Sequence, residues 1–234
     1  MKIGVMVGPE RGDTARKVAR LLSDIAWAEA AGLPTAWIPQ VPNDMDALQC
    51  VALLGAHTSR IELGTAVVPL QAQHPVALAR QALSAHAITG GRLTLGVGPS
   101  HHWLVSRERD VHRAQPVRRR PGRPAPRVVA GIPVTLCAAS RVDEARARAN
   151  RILAEAEFSP NYQRLLEHGD IRDVGELLAA GDEAAIAARF RRFADAGATD
   201  LSIRLLPIGT GRDELIASKH RTRELLAALA ADFA

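Results

Sequence analysis

The chain has 234 residues, 47% of them hydrophobic and 24% charged, with a formal net charge of +5. That is ordinary globular composition, long enough for one large domain or two small ones, and it excludes a disordered, fibrous or disulfide-stapled chain. No apolar run approaches the roughly 20 residues of a spanning helix, and Pro9 and Glu10 stop the N-terminal run M-K-I-G-V-M-V well short of a signal segment, so a soluble cytoplasmic protein is expected.

Short apolar runs then alternate with amphipathic stretches along the chain. Lys2–Val7 reads as a strand. Thr14 is a plausible N-cap, and apolar residues at helical spacing continue to Gly32, a C-terminal stop. Thr35–Pro39 is a second strand. Asp44 or Asp46 caps a helix to about His57. Ile61–Val68 is a third strand. Pro75 opens a helix that closes at Gly90-Gly91, with His74 marking its entry. Leu93–Val97 is a fourth strand. Strands and helices in strict alternation imply right-handed crossovers and a parallel sheet.

The rhythm breaks at about 106–126, where four prolines interrupt a basic run and argue against a helix interior or a buried strand. Between Arg107 and Arg127 eight Arg stand against Glu108 and Asp110, a net of +6. The rest of the chain holds 22 basic and 23 acidic residues, a net of −1. The basicity therefore belongs to one exposed segment with no interleaved aromatics, and nucleic acid is not an expected partner. Regular structure resumes with a strand at Arg127–Leu136 and a helix from about Val142 to Glu157. Phe158–Glu176 is irregular, with a short helix near Tyr162–His168. Asp182 caps a helix that ends at Gly197, Asp200–Leu205 is a strand, and Glu214–Ala231 is a last amphipathic helix. The total is six strands. Cys50 and Cys137 sit in apolar surroundings and read as buried, inert thiols.

Four stretches carry a family resemblance: I-E-L-G-T-A-V-V-P-L-Q-A-Q-H-P-V-A-L-A-R-Q-A-L, then G-G-R-L-T-L-G-V-G-P-S-H-H, then P-R-V-V-A-G-I-P-V, then D-A-G-A-T-D. With them the chain resembles the luciferase-like monooxygenases, and more narrowly their coenzyme F420-dependent oxidoreductases. The resemblance spans roughly residues 1–103 and 122–230. It implies a TIM-like (β/α) barrel with chemistry at the C-terminal ends of the strands, in a single barrel-like domain. Eight strands are expected of such a barrel. The region between the fourth strand and Arg127 is shortened by about two βα units, so the barrel is expected to be incomplete.

The resemblance also implies the site. A bulge at the end of strand three, with a cis peptide at Ala66-Val67, would support a flavin ring. Thr65, Ala66, Val67, Gly98 and Ser100 would line that ring. From the residues themselves, Gly96-Val97-Gly98 lacks the third glycine of a dinucleotide fingerprint and the G-K-[ST] of a P-loop. Adjacent His101 and His102 lack a third ligand at a standard spacing, so no metal is expected. A histidine suits proton transfer near neutral pH, and of the pair the resemblance, which includes S-H at this point, implies His101. Glu10 and Gln40 end strands one and two; Glu10 is a second candidate catalytic group, and Gln40 can only hydrogen-bond substrate. Trp37 and Trp103 could stack on a ligand, although packing is the commoner role. The expected cofactor is coenzyme F420, with FMN as the alternative, the substrate a small organic molecule, and the assembly a homodimer. The contrasting expectation is a truncated, non-catalytic homologue that folds or dimerises but binds flavin weakly or not at all.

Overall fold

A computed structural model describes residues 1–8, 14–41, 44–70, 73–98, 127–157, 163–164, 166–167, 169 and 171–233. Glu10, Ser100, His101, His102, Trp103 and the Arg/Pro segment at 106–126 lie outside the described residues. In chain order the elements are β1 Lys2–Met6, α1 Thr14–Ala30, β2 Thr35–Ile38, α2 Ala47–Ala56, β3 Glu62–Thr65, β4 Val68–Pro69, α3 Pro75–Ile88, β5 Leu93–Thr94 and β6 Val97–Gly98. After the basic segment come β7 Val129–Leu136, α4 Val142–Glu157, β8 Ala179–Gly181, α5 Glu183–Asp195, β9 Asp200–Leu205 and α6 Arg212–Asp232. Two compact units result: Met6–Arg127, and Met1–Val5 with Val128–Ala234.

In the first of these, β2, β3 and β5 form parallel ladders, Thr35 opposite Glu62 and Leu63 opposite Leu93. Local chemistry fixes the flanking helices. Asp46 caps α2 by accepting from the Gln49 N–H at 3.0 Å. Asp44 instead pairs with Lys17 at 2.8 Å. His74 caps α3 through its ring Nδ1, with Pro75 at the first helical position. Two side chains lock the loop between α2 and β3. The Glu29 carboxylate accepts from the backbone N–H groups of Ser59, Arg60 and Ile61 at 2.8, 2.7 and 3.1 Å. The Arg92 guanidinium donates to the carbonyls of Gly55, Thr58 and Ile61 and to the Thr58 hydroxyl, all at 2.8–2.9 Å.

In the second unit the strand order is β1-β9-β7-β8, every pair parallel. Alternate residues Ile3, Ile132, Val134, Leu201 and Ile203 face one way and form a core with Ile186 and Phe190 of α5 and Leu225, Leu226 and Leu229 of α6. Phe190 and Phe233 meet edge to face, centroids 6.3 Å apart. Pro133 lies in β7, where a proline costs a ladder bond in a strand paired on both sides. The β8 ladder begins only at Val134, so Pro133 is paired on the β9 side alone among the described residues.

Two expectations are corrected. A further strand joins the six expected, because Ala179-Ala180-Gly181 forms β8. A three-residue A-A-G run has no periodicity to read; its pairing with Val134–Leu136 creates it. The third and fourth expected strands are also each broken in two. β3 gives way to β4 and β5 to β6, and the halves pair in step, Val68 opposite Val97 and Pro69 opposite Gly98. β5 pairs only with β3, and β8 only with β7, among the described residues.

Candidate functional site at the β3–β4 bulge

The break between β3 and β4 is a single feature: the Ala66-Val67 peptide bond is cis, where the resemblance placed it. Ala66 remains tied to β2, its N–H donating to the Ile38 carbonyl at 2.9 Å. Thr65 is almost fully buried, 1% exposed. Its hydroxyl donates to the Gly96 carbonyl at 2.8 Å and accepts from the Gly96 N–H at 2.9 Å. This two-way bridge carries the ladder across the step. Beyond it Val68 N–H donates to the same Gly96 carbonyl at 2.9 Å, and Leu70 N–H to the Gly98 carbonyl at 3.1 Å.

The glycines follow from this geometry. A Cβ on Gly96 would lie 2.0 Å from the Thr65 carbonyl oxygen, and one on Gly98 would lie 2.6 Å from Val67 Cγ2. Gly96 was not among the expected site residues, and in G-V-G only the β3 bulge gives it a task. Next to the bulge, large apolar side chains stand in solvent: Val67 at 40%, Val97 at 42%, Leu95 at 38% and Leu70 at 37% exposure. Val67 lies across from β6, its Cγ2 2.6 Å from where a Cβ on Gly98 would sit, so the ledge spans both strands. A rigid backbone step beneath an apolar ledge can support a flat, uncharged ring.

The other expected residues separate. Glu10, Ser100 and His101 lie outside the described residues. The Gln40 side chain is engaged by the backbone: Oε1 accepts from Ala47 N–H at 2.8 Å, and Nε2 lies 3.4 Å from the Val41 and Met45 carbonyls. It braces the β2–α2 loop. Trp37 packs, as the commoner role predicts: it is 4% exposed, opposite Gly64, where a Cβ would lie 2.4 Å from the indole. Arg127 lies over that indole, 5.7 Å from the centroid, and pairs with Glu62. Sequence reasoning left Arg127 in the basic run; a lone acid inside a strand, Glu62, was the signal for its partner. Cys50 is buried and its thiol is pushed up to about 11, chiefly by burial and then by Asp46 and Asp44. Cys137 is only half buried, which corrects one of the two thiols.

The family model for luciferase-like monooxygenases matches residues 1–121. The chain belongs to the luciferase-like monooxygenase family. Among relatives of this family, a Mycobacterium tuberculosis protein provisionally assigned as a coenzyme F420-dependent oxidoreductase is 36% identical over 105 residues, 45% of this chain and 29% of that protein. The 4-hydroxyprotoasukamycin monooxygenase of Streptomyces nodosus subsp. asukaensis is 48% identical over 48 residues, 20% of this chain and 13% of that enzyme. The matched segments thus span less than a third of either relative. Solved structures share the luciferase-like fold at low identity. The monooxygenase RslO1 of Streptomyces bottropensis superposes with a TM-score of 0.66 at 16% identity, covering 100% of both chains. The coenzyme F420-dependent tetrahydromethanopterin reductase of Methanopyrus kandleri gives 0.61 at 15%, covering 97% of both. The fold class is therefore the mostly parallel α/β barrel type expected. No described helix is long and apolar enough to cross a membrane.

Proposed function

We infer that this chain is an oxidoreductase that holds a deazaflavin, coenzyme F420, or FMN against the β3–β4 bulge for hydride transfer to or from a small organic molecule. The observation that carries the reading is the β3–β4 step, where the Thr65 hydroxyl bridges Gly96 beside an exposed apolar ledge. When bound, the cofactor supplies the two-electron redox chemistry, which is its own. The chain's residues bind, orient and move protons. Thr65 and Gly96 hold the step rigid, while Ala66, Val67, Gly98 and Ser100 line the ring. His101 donates a proton to the substrate, since an imidazolium can do so near neutral pH. Glu10 faces substrate as a second acid-base group. Gln40 would reach substrate only by giving up its 3.4 Å contacts to Val41 and Met45.

A homodimer is the proposed assembly. Helix α3 buries only Leu78 and Ala85. On its opposite side Val76 and Leu83, seven residues apart, are 53% and 70% exposed. A second copy of the chain would cover that stripe.

The test is a fluorescence titration of the whole chain with coenzyme F420 and, separately, with FMN. Saturable binding at micromolar concentration or tighter is expected for one of them. His101→Ala should leave that affinity in place and lower turnover by about 10²–10⁴-fold. Failure to bind either, in a chain shown by circular dichroism to be folded, would favour the non-catalytic homologue. The one-sided pairing of β5 and β8 among the described residues is what keeps that second reading open.

A further inference from the structure

The second unit carries a cleft of its own, which does not rest on the flavin reading. It opens where β7 and β8 end and where the chain leaves β9, and it has a volume of about 690 Å³. That is within the range of small-molecule sites. Leu136, Ala138, Ala184 and Ile208 give it an apolar wall, and four charged side chains converge on it: Arg141, Arg221, Asp182 and Glu183.

Two of those charges are already committed. Arg141 is forked over Glu144, with 2.8 and 2.9 Å contacts, and also reaches Glu214 at 2.8 Å. The Asp182 carboxylate caps α5, accepting from Ala185 N–H at 2.9 Å. Arg221 and Glu183 remain, and neither has a hydrogen-bond or ion-pair partner among the described residues. The uncommitted pair is one fixed cation and one acid. A polyanion such as a diphosphate would meet two carboxylates in the lining and lose what Arg221 offers. A simple cation would meet two guanidiniums. A molecule with one acidic group for Arg221, one hydroxyl or ammonium donor for Glu183 and an apolar body for Leu136 and Ile208 satisfies every group at once.

The geometry points to a binding site for a small amphiphilic acid that carries a donor beside its carboxylate, a hydroxy acid or an amino acid. Arg221 is the anchor because a guanidinium takes a carboxylate in two parallel bonds. Glu183 favours ligands that carry the donor, by accepting a charge-assisted hydrogen bond from it.

Calorimetric titration of the whole, flavin-free chain with 3-phenyllactate and with phenylalanine tests this and distinguishes the two donors. Benzoate and inorganic phosphate serve as controls. Saturable binding of one or both probes is expected, with benzoate weaker. Arg221→Gln should weaken it by about tenfold or more, a loss of about 1.4 kcal/mol, and Glu183→Gln should narrow the gap between probe and benzoate. Both positions are on the surface, so unchanged circular dichroism would confirm intact folding. No binding of either probe, unchanged affinity in Arg221→Gln, or phosphate binding as tightly as the probes would each overturn the proposal. Because flavin is absent from the experiment, its failure leaves the β3–β4 reading untouched, and the converse holds too.

Discussion

Two glycines two residues apart, Gly96 and Gly98, differ in what they protect. At Gly96 the obstacle to a side chain is backbone, the Thr65 carbonyl at 2.0 Å; at Gly98 it is the Val67 Cγ2 methyl at 2.6 Å, which can rotate away. Gly96→Ala should therefore cost about 2–3 kcal/mol in urea unfolding, because the Thr65 bridge must open, and Gly98→Ala about 1 kcal/mol or less. Equal costs would mean that the two strands yield more readily than their hydrogen bonds indicate. The cysteines give a second contrast at this scale. Burial raises both thiols, Cys50 more than Cys137, and only Cys137 is partly open to solvent. Iodoacetamide at pH 8 is expected to alkylate Cys137 first and Cys50 only on unfolding, which peptide mass spectrometry reads directly.

Among elements, the loop between α2 and β3 is held from two sides, by Glu29 at the end of α1 and by Arg92 just before β5. Burial pushes the Glu29 carboxyl up, but N–H donors from Arg60, Ile61 and Ser59 more than offset it and hold it below the usual carboxylate value. A group depressed in the folded state contributes stability above its unfolded pKa and loses it as pH falls through the folded one. Glu29→Gln should thus cost about 1 kcal/mol at pH 7, a modest figure because the carboxylate is well solvated. The difference from the native chain should shrink as pH falls below the usual carboxylate range and through the depressed folded-state pKa. A deficit that persists undiminished at acid pH would show that shape, not charge, holds the loop. Arg92→Lys removes the planar fork that meets three carbonyls and should lower stability by about 1–2 kcal/mol. How much of these elements was legible follows from their causes. Helices α2, α3 and α5 were readable because Asp46, Pro75 and Asp182 sit at their starts as local signals. Strand β8 was not, because A-A-G becomes a strand only beside Val134–Leu136.

For the whole molecule, the proposed dimer stands on the α3 stripe. Leu83→Glu places a charge where a second copy would bury an apolar side chain. Light scattering is expected to report a monomer, with little change in secondary structure since Leu83 is 70% exposed in the single chain. An unchanged oligomer would move the interface elsewhere. By itself the sequence determined the family resemblance and the alternation of strands and helices, because each is written in contiguous residues, and the cis bond followed only through that resemblance. Only the tertiary structure decided that Thr65 clasps Gly96 across 31 residues, that Arg127 leaves its basic run for Glu62 and Trp37, and that Arg221 and Glu183 share a cleft. Those are meetings between distant segments, and a chain records its neighbours in order while the partners that folding supplies are set by packing.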